Sequence, residues 1–226
     1  MHYLKPLPGL LFALALTTYQ PLAAAASTFY SFENITHSNA GAEADGEANL
    51  RLEVIDLGSS QVRFKFGNNA TSSLTDVYFD DGSLLGIASI TSSAGVSFSQ
   101  GASPPNLPGG NSVSPAFVTT AGFLADSDAP VAHNGVNLGE WLAINFNLIS
   151  GQTYASVINA LALPHNGGAG DLRIGLHVQG FASGGGSESF INIATPVPEP
   201  RTYAMLLAGF CVMGAIIRRR KPTDSL

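Results

Sequence analysis

The sequence predicts an all-β domain: an antiparallel β-sandwich of jelly-roll character with one short helix. Three observations predict this fold class. The 226 residues include 25 glycines and only 12% charged residues, which is typical of turn-rich β domains and unlike helical bundles. Several segments alternate apolar and polar residues with a period of two, as strands with one wet face do. The single cysteine excludes an internal disulfide, so sheet packing must stabilise the domain.

Four segments alternate most clearly and predict half-buried strands. They are residues 50–55, 62–66, 141–148 and 172–178. In the second segment Arg63 and Lys65 separate the apolar residues, and in the fourth Arg173, Gly175 and His177 form the polar side. Shorter strand candidates are residues 28–32, 76–79, 84–90, 96–98, 117–119 and 190–193.

One segment has helical rather than strand spacing. Apolar residues recur at helical intervals over residues 153–162, and Pro164 ends the run, so we expect a short amphipathic helix. Residues 101–115 form a long loop with four prolines and three glycines. Such a loop is either an excursion over the surface or the lip of a binding site.

The N-terminal residues 1–26 have the composition of a secretory signal peptide. Lys5 supplies a positive charge, residues 9–16 are apolar, and the small residues 23–26 suit cleavage by signal peptidase. We therefore expect a mature domain over residues 27–196 that works outside the cytoplasm.

The C-terminal end combines three elements. Residues 197–200 form a proline-rich segment, residues 202–217 are apolar, and four cations follow, namely Arg218, Arg219, Arg220 and Lys221. As a helix the apolar run is about 24 Å long, slightly short of a hydrocarbon core. Flanking cations that stop the membrane span predict a cytoplasmic tail over residues 222–226 and an outward-facing domain.

This order of elements closely resembles the PEP-CTERM sorting signal of bacterial envelope proteins. The resemblance covers residues 197–221 and makes Pro198, Glu199 and Pro200 the recognition element. It implies processing by exosortase, transient anchoring in the inner membrane of a Gram-negative bacterium with a periplasmic domain, and then a cell-surface or extracellular location. It also implies a link to exopolysaccharide. Residues 75–82 and 188–192 resemble uncharacterised exported domains that precede this signal.

Acidic and basic residues are distributed unevenly along the chain. Residues 27–196 contain 14 acidic residues and four cations, Arg51, Arg63, Lys65 and Arg173, and so a formal charge of −10. A surface this acidic repels phosphate backbones, so we expect no nucleic-acid partner.

Acidic residues also suggest a cation site. Asp76, Asp80 and Asp81 cluster at the end of one predicted strand, and Asp126 and Asp128 lie in another loop. Carboxylates at alternating loop positions suit Ca²⁺, but the same residues are ordinary in turns. No other cofactor is expected.

Three functions remain open from the sequence. The first is a non-enzymatic envelope or matrix protein, which is the one we expect. The second is a carbohydrate-binding module that uses an exposed aromatic residue, with Tyr78, Phe117, Phe123 and Trp141 as candidates. The third is a secreted glycoside hydrolase, for which Glu140 and Glu188 are the candidate carboxylate pair.

Overall fold

The computed structural model describes residues 25–163, 171–182, 185–195, 209–211 and 213. Within them, two antiparallel sheets enclose a common core, and helices are few. The predicted all-β sandwich is therefore confirmed. Its jelly-roll character stays a prediction.

The five-stranded sheet, called sheet A, contains most of the clearly predicted strands. Its strands are β1 Ser27–Tyr30, β3 Leu50–Gly58, β4 Gln61–Asn68, β6 Leu84–Ser92 and β9 Trp141–Leu148. The strand order is β1-β3-β4-β9-β6, all antiparallel. In β4 every second side chain, including Phe64 and Phe66, is buried in the core, so the residues between them face outward.

The six-stranded sheet, called sheet B, lies on the other side of the core. Its strands are β2 Phe32–Asn34, β5 Ser73–Asp80, β7 Phe98–Gln100, β8 Leu124–Ser127, β10 Arg173–Gln179 and β11 Ser187–Asn192. Their order is β2-β11-β10-β5-β8-β7. β8 was not predicted, and the strand predicted over residues 117–119 is wrong. The Phe117 N–H donates to Gly110 and the Val118 N–H to the Asp80 carboxylate, so this segment pairs with no strand.

Aromatic rings hold the two sheets together at the centre of the core. Phe79 of sheet B meets Phe64 and Phe146 of sheet A edge to face, with ring centroids 5.2 and 4.7 Å apart. Such pairs add about 1 kcal/mol each beyond the area that they bury. The alternation of large apolar residues along β4 and β9 therefore fixes which face of sheet A meets sheet B.

The long loop after β7 covers the outer face of sheet B. A second apolar cluster lies there, made of Tyr78, Leu107, Phe117, Leu124 and Ile191. A Cβ on Gly175 would lie 2.6 Å from Leu107 Cδ2, so only glycine admits this close approach. The wet face predicted for residues 172–178 is therefore wrong, because Arg173 and Gly175 are buried beneath the loop.

Helices cap the sandwich. The predicted helix is present as α3, Tyr154–Ala162, whose Thr153 and Ser156 form a capping box. The expectation of a single helix is wrong, since the chain also forms α1, Ala40–Asn49, and the short α2, Val131–Asn134. The Asn39 side chain caps α1 by accepting from the N–H groups of its first turn.

The two predicted targeting segments lie mostly outside the described residues. Of the signal peptide only residues 25–26 are described, and of the apolar run only residues 209–211 and 213, which are helical. Within the part of the chain that the structure describes, no helix is both long and apolar enough to span a membrane.

Candidate functional site

The outward face of sheet A carries half-buried and exposed polar side chains around the buried Ala143 and Asn145. Strand pairing brings side chains distant in sequence into rows across this face. One row contains Ile55, Arg63, Asn145 and Ser89, and the next contains Glu53, Lys65, Ala143 and Thr91. We call these two rows, together with Gln61, Asn147 and Trp141, the open face.

A chain of hydrogen bonds orders the first row. Arg63 Nε donates to Asn145 Oδ1 at 2.8 Å, and Asn145 Nδ2 donates to Ser89 Oγ at 2.8 Å. The Arg63 guanidinium is thereby held by its Nε, while its two Nη groups have no acceptor within the described residues. Gln61 and Asn147 form a further cross-strand bond at 2.8 Å. The open face thus presents oriented amides and a guanidinium fork.

The only tryptophan of the chain lies at the edge of the same face. Trp141 begins β9 and is half-buried, and Lys65 Nζ lies 5.4 Å from the centroid of its ring. An indole ring with neighbouring donors can stack on an apolar ligand surface while the donors bind its polar groups.

The other predicted aromatic candidates do not lie on this face. Tyr78 and Phe117 belong to the apolar cluster under the loop, and Phe123 packs against the main core. Trp141 is therefore the one of the four candidates that the structure places beside solvent-facing polar groups. Arg63 and Asn145 were not predicted as site residues, because their partnership depends on the pairing of β4 with β9.

Two of the predicted metal ligands, Asp76 and Asp126, face each other across β5 and β8. Asp76 is 2% exposed, and its Oδ2 accepts from Thr75 Oγ1 at 2.8 Å and lies 3.0 Å from Nδ1 of His177. His177, expected on a wet face, thus pairs with a buried carboxylate. Asp76 Oδ1 is buried without a hydrogen-bond partner in the described residues.

Asp76 affects the protonation of Asp126. Burial, and then the negative charge of Asp76 and a hydrogen bond with it, raise the pKa of Asp126 to about 6. The same burial and carboxylates raise the pKa of Tyr78 far above its usual value. A protonated Asp126 has an O–H that can donate, and the unpartnered Oδ1 of Asp76 belongs to the residue that it faces on the neighbouring strand.

This pair predicts a pH-dependent stability difference between the protein and its Asp126→Asn variant. Because the folded pKa exceeds the unfolded value, the stabilisation from protonated Asp126 is present below about pH 4 and is lost as the pH rises through about 6. An amide keeps a donor at every pH, so the variant should be more stable at about pH 8, by about 1 kcal/mol after solvent screening. Urea unfolding at both ends of this range measures the difference.

Asp128→Asn is the matched control for this experiment. Asp128 accepts from Ser97 Oγ at 2.5 Å and Ser99 Oγ at 2.8 Å, and these bonds lower its pKa. Its replacement should therefore not stabilise the protein at high pH. An Asp126→Asn variant less stable than the parent at about pH 8 contradicts the raised pKa of Asp126.

The remaining acidic candidates have separate local partners. Asp80 pairs with Arg173, and Asp81 Oδ1 accepts from the N–H groups of Ser83 and Leu84 in the turn before β6. Burial raises the pKa of Asp81 despite these bonds. In the described part of the chain, no group of three or more His, Cys, Asp or Glu side chains is arranged to hold a metal ion. Calcium binding by the five aspartates stays a prediction.

The candidate glycosidase carboxylates lie apart in the fold and have local partners. Glu188 lies on β11 of sheet B and is 2% exposed, and four donors from the segment before α1 converge on it. Glu140 precedes β9 of sheet A and accepts from the Asn137 N–H at 2.8 Å. Ser189, which follows Glu188 on β11, pairs with His177 in the sheet and is fully buried.

Comparison with known proteins identifies the C-terminal segment. A family model described as the PEP-CTERM protein-sorting motif matches residues 196–221. The chain carries a PEP-CTERM protein-sorting motif. A PEP-CTERM motif marks a bacterial protein that is exported, sorted at a membrane and processed by exosortase. No curated protein and no solved structure matches the chain.

The PEP-CTERM match includes every residue predicted to direct sorting. These are Pro198, Glu199 and Pro200 and the cations Arg218, Arg219, Arg220 and Lys221. All seven lie outside the described residues, so their roles rest on the sequence match. The sorting motif and the open face are thus separate features of the chain.

Proposed function

We propose that the protein is a non-enzymatic component of the bacterial cell envelope or extracellular matrix, delivered there by exosortase. The observation that carries this proposal is the PEP-CTERM match over residues 196–221. In this proposal signal peptidase removes residues 1–26, and an apolar segment over residues 202–217 anchors the domain at the periplasmic side of the inner membrane of a Gram-negative cell. Exosortase then cuts near Pro198–Pro200, and the domain reaches the surface, where it is associated with exopolysaccharide or biofilm.

The environment of the candidate catalytic carboxylates supports a non-enzymatic role. A general acid or nucleophile must reach its substrate, whereas Glu188 is enclosed by four donors of its own chain. Glu140 is engaged by Asn137 in the turn before β9. These contacts favour structural roles for both residues.

The sorting proposal predicts a truncated C-terminus on the exported protein. Mass spectrometry of the protein isolated from cells with exosortase should find chains that end near Pro198–Pro200, and cells without exosortase should retain Leu226. Replacement of Glu199 with alanine in the Pro-Glu-Pro element should preserve the full-length tail, while Glu33→Ala, an exposed change on β2, should not. A native protein that ends at Leu226 in exosortase-containing cells contradicts the proposal.

A second function is favoured by the open face. Trp141, Lys65 and the Arg63–Asn145–Ser89 chain combine a stacking surface with oriented polar donors. Carbohydrate ligands have apolar ring faces and many hydroxyl groups, so this combination suits them. We therefore propose carbohydrate binding as the activity of the exported domain, tested by the experiment described below.

A further inference from the structure

We infer that the open face of sheet A binds an acidic, carboxylate-bearing polysaccharide through Arg63 and Lys65, with Trp141 stacking on a sugar ring. This inference rests on the carbohydrate binding proposed above and specifies the class of ligand. It is independent of sorting by the PEP-CTERM motif.

The distribution of charge is the first argument. Residues 27–196 carry 14 acidic residues and four cations. Arg173 is buried and paired with Asp80, and Arg51 donates to main-chain carbonyls at the end of α1, including Leu50 O at 2.7 Å. The two remaining cations, Arg63 and Lys65, lie on the open face. A strongly acidic domain thus has, side by side on one surface, two cations that neither pair with a carboxylate nor donate to main-chain carbonyls.

The lack of a carboxylate partner for these cations within the described residues is the second argument. Neither Arg63 nor Lys65 forms an ion pair within the described residues, although Glu53 lies directly across from Lys65 on β3. Glu53 is also the one acidic residue at an outward position of sheet A, since Asp56 pairs with the inward Val62. Cations that are left unpaired in an acidic domain can neutralise charge on a ligand.

The geometry of the cations suits a polymer with spaced charges. Arg63 and Lys65 are two residues apart on β4, so their side chains rise from the same face about 7 Å apart. The guanidinium fork matches one carboxylate in a bidentate manner, and the ammonium can bind a second. Beside them, the half-buried Gln61 and the exposed Asn147 have amide groups that can bind hydroxyls.

The surrounding charge disfavours a nucleic-acid ligand. The described domain outside the open face is acidic, and the phosphates of a duplex follow one another every ~1.7 Å along its axis. Two cations cannot offset such a charge density, whereas a polyuronate carries one carboxylate per sugar and leaves apolar ring faces for Trp141.

The experiment compares two probes with the same backbone. The full chain, solubilised in detergent, is titrated calorimetrically with polygalacturonate and with its fully methyl-esterified, neutral form. Polygalacturonate should bind at least about tenfold more tightly than the neutral ester. Added salt should weaken the binding of polygalacturonate, because charge-assisted hydrogen bonds account for the preference. Duplex DNA is the third probe and should bind more weakly than polygalacturonate.

Variants separate the open face from the cationic tail, which every variant shares. Arg63→Gln and Lys65→Gln should each weaken polygalacturonate binding by about tenfold, and they should weaken binding of the neutral ester less, because glutamine keeps N–H donors but carries no charge. Glu53→Gln should strengthen it, because the carboxylate opposite Lys65 is lost. Glu33→Gln removes the same charge from β2 of sheet B and should have no effect. Thermal unfolding checks that each variant is folded.

Each outcome decides a different proposal. Binding of both polymers with equal affinity overturns the charge preference and leaves carbohydrate binding in place. Binding of neither polymer overturns both, while the C-terminal mass spectrum still tests sorting independently. Unchanged polygalacturonate affinity in Arg63→Gln and Lys65→Gln assigns the binding to the tail and overturns the inference, as does tighter binding of DNA.

Discussion

Replacement of Glu188 with alanine should lower the free energy of unfolding by about 3 kcal/mol, because a buried carboxylate with four donors is lost. Its oxygens accept from Asn34 Nδ2 at 3.2 Å, the Ser38 N–H at 3.2 Å, the Asn39 N–H at 2.7 Å and the Thr36 hydroxyl. Alanine would leave these donors without an acceptor in a half-buried site. The connection from β2 to α1 should loosen first, since three of the four donors belong to it and the fourth, Asn34, ends β2.

The pH dependence of this prediction provides a second readout. Burial by itself raises the pKa of Glu188, but the four hydrogen bonds outweigh it and hold the pKa below its usual value. The stabilisation from Glu188 is therefore present above about pH 5 and is lost as the pH falls through the folded pKa. When the pH is lowered, the free energy of unfolding measured in urea should fall less for the variant than for the parent protein.

Glu33→Ala is the control for Glu188→Ala, since Glu33 is an exposed carboxylate on the neighbouring strand β2. Its loss should change the free energy of unfolding by less than about 0.5 kcal/mol. If Glu188→Ala is as stable as Glu33→Ala, the carboxylate is not structural, and the hydrolase hypothesis gains support.

The strands of sheet A could be predicted because one side of the sheet faces solvent. In β4, Val62, Phe64 and Phe66 enter the core, and Arg63 and Lys65 between them remain accessible. A period of two is then visible in the sequence itself. The alternation therefore predicts a polar side on β4. The hydrogen-bonded rows of the open face could not be predicted, because they depend on the pairing of β4 with β9, about 80 residues later.

Strands of sheet B were predicted, β10 most clearly, but the burial of its outer face could not be, because a remote loop covers it. Residues from Ser73 to Phe79 of β5 are all buried, so the alternation that marks a wet face is weak there. On β10, Arg173 looks like a solvent-facing residue in the sequence, yet it is 4% exposed. No local sequence pattern predicts that Leu107 and Phe117 cover these strands.

Helix α1 was not predicted, for a different reason. Its sequence consists of Ala, Gly, Glu, Asp and Asn, and it lacks an apolar stripe of helical period. The helix packs through a glycine, since a Cβ on Gly46 would lie 2.2 Å from Cζ of Phe190. The Asn39 cap was a visible signal, but Asn is also common in turns.

Arg173 links the covering loop to sheet B through its hydrogen bonds. Its replacement with methionine should lower the free energy of unfolding by about 3 kcal/mol. Its Nε donates to Asp80 Oδ2 at 3.0 Å, and its Nη groups donate to the carbonyls of Pro115 at 2.8 Å and Ala116 at 2.7 Å. The guanidinium carbon also lies 5.4 Å from the ring centroid of Phe117. Methionine fills similar space but leaves both carbonyls without the Arg173 donors and the carboxylate without its cation.

Urea unfolding of a double-mutant cycle tests this assignment. Asp80→Asn in the Arg173→Met background should restore about 1–2 kcal/mol, because it removes the carboxylate that lost its partner. Hydrogen exchange should quicken at the Val118 amide, which donates to Asp80 Oδ2 at 3.3 Å, and at the neighbouring Phe117 amide.

Arg63→Met is the control for Arg173→Met because it removes the same group from the open face of sheet A. Arg63 is half-buried and makes one side-chain hydrogen bond with Asn145 among the described residues, so the cost should stay near ~1 kcal/mol. Equal losses for the two variants would mean that Arg173 does not hold the loop. A much larger loss for Arg173→Met would show that Arg173, unlike Arg63, stabilises the cover of its sheet.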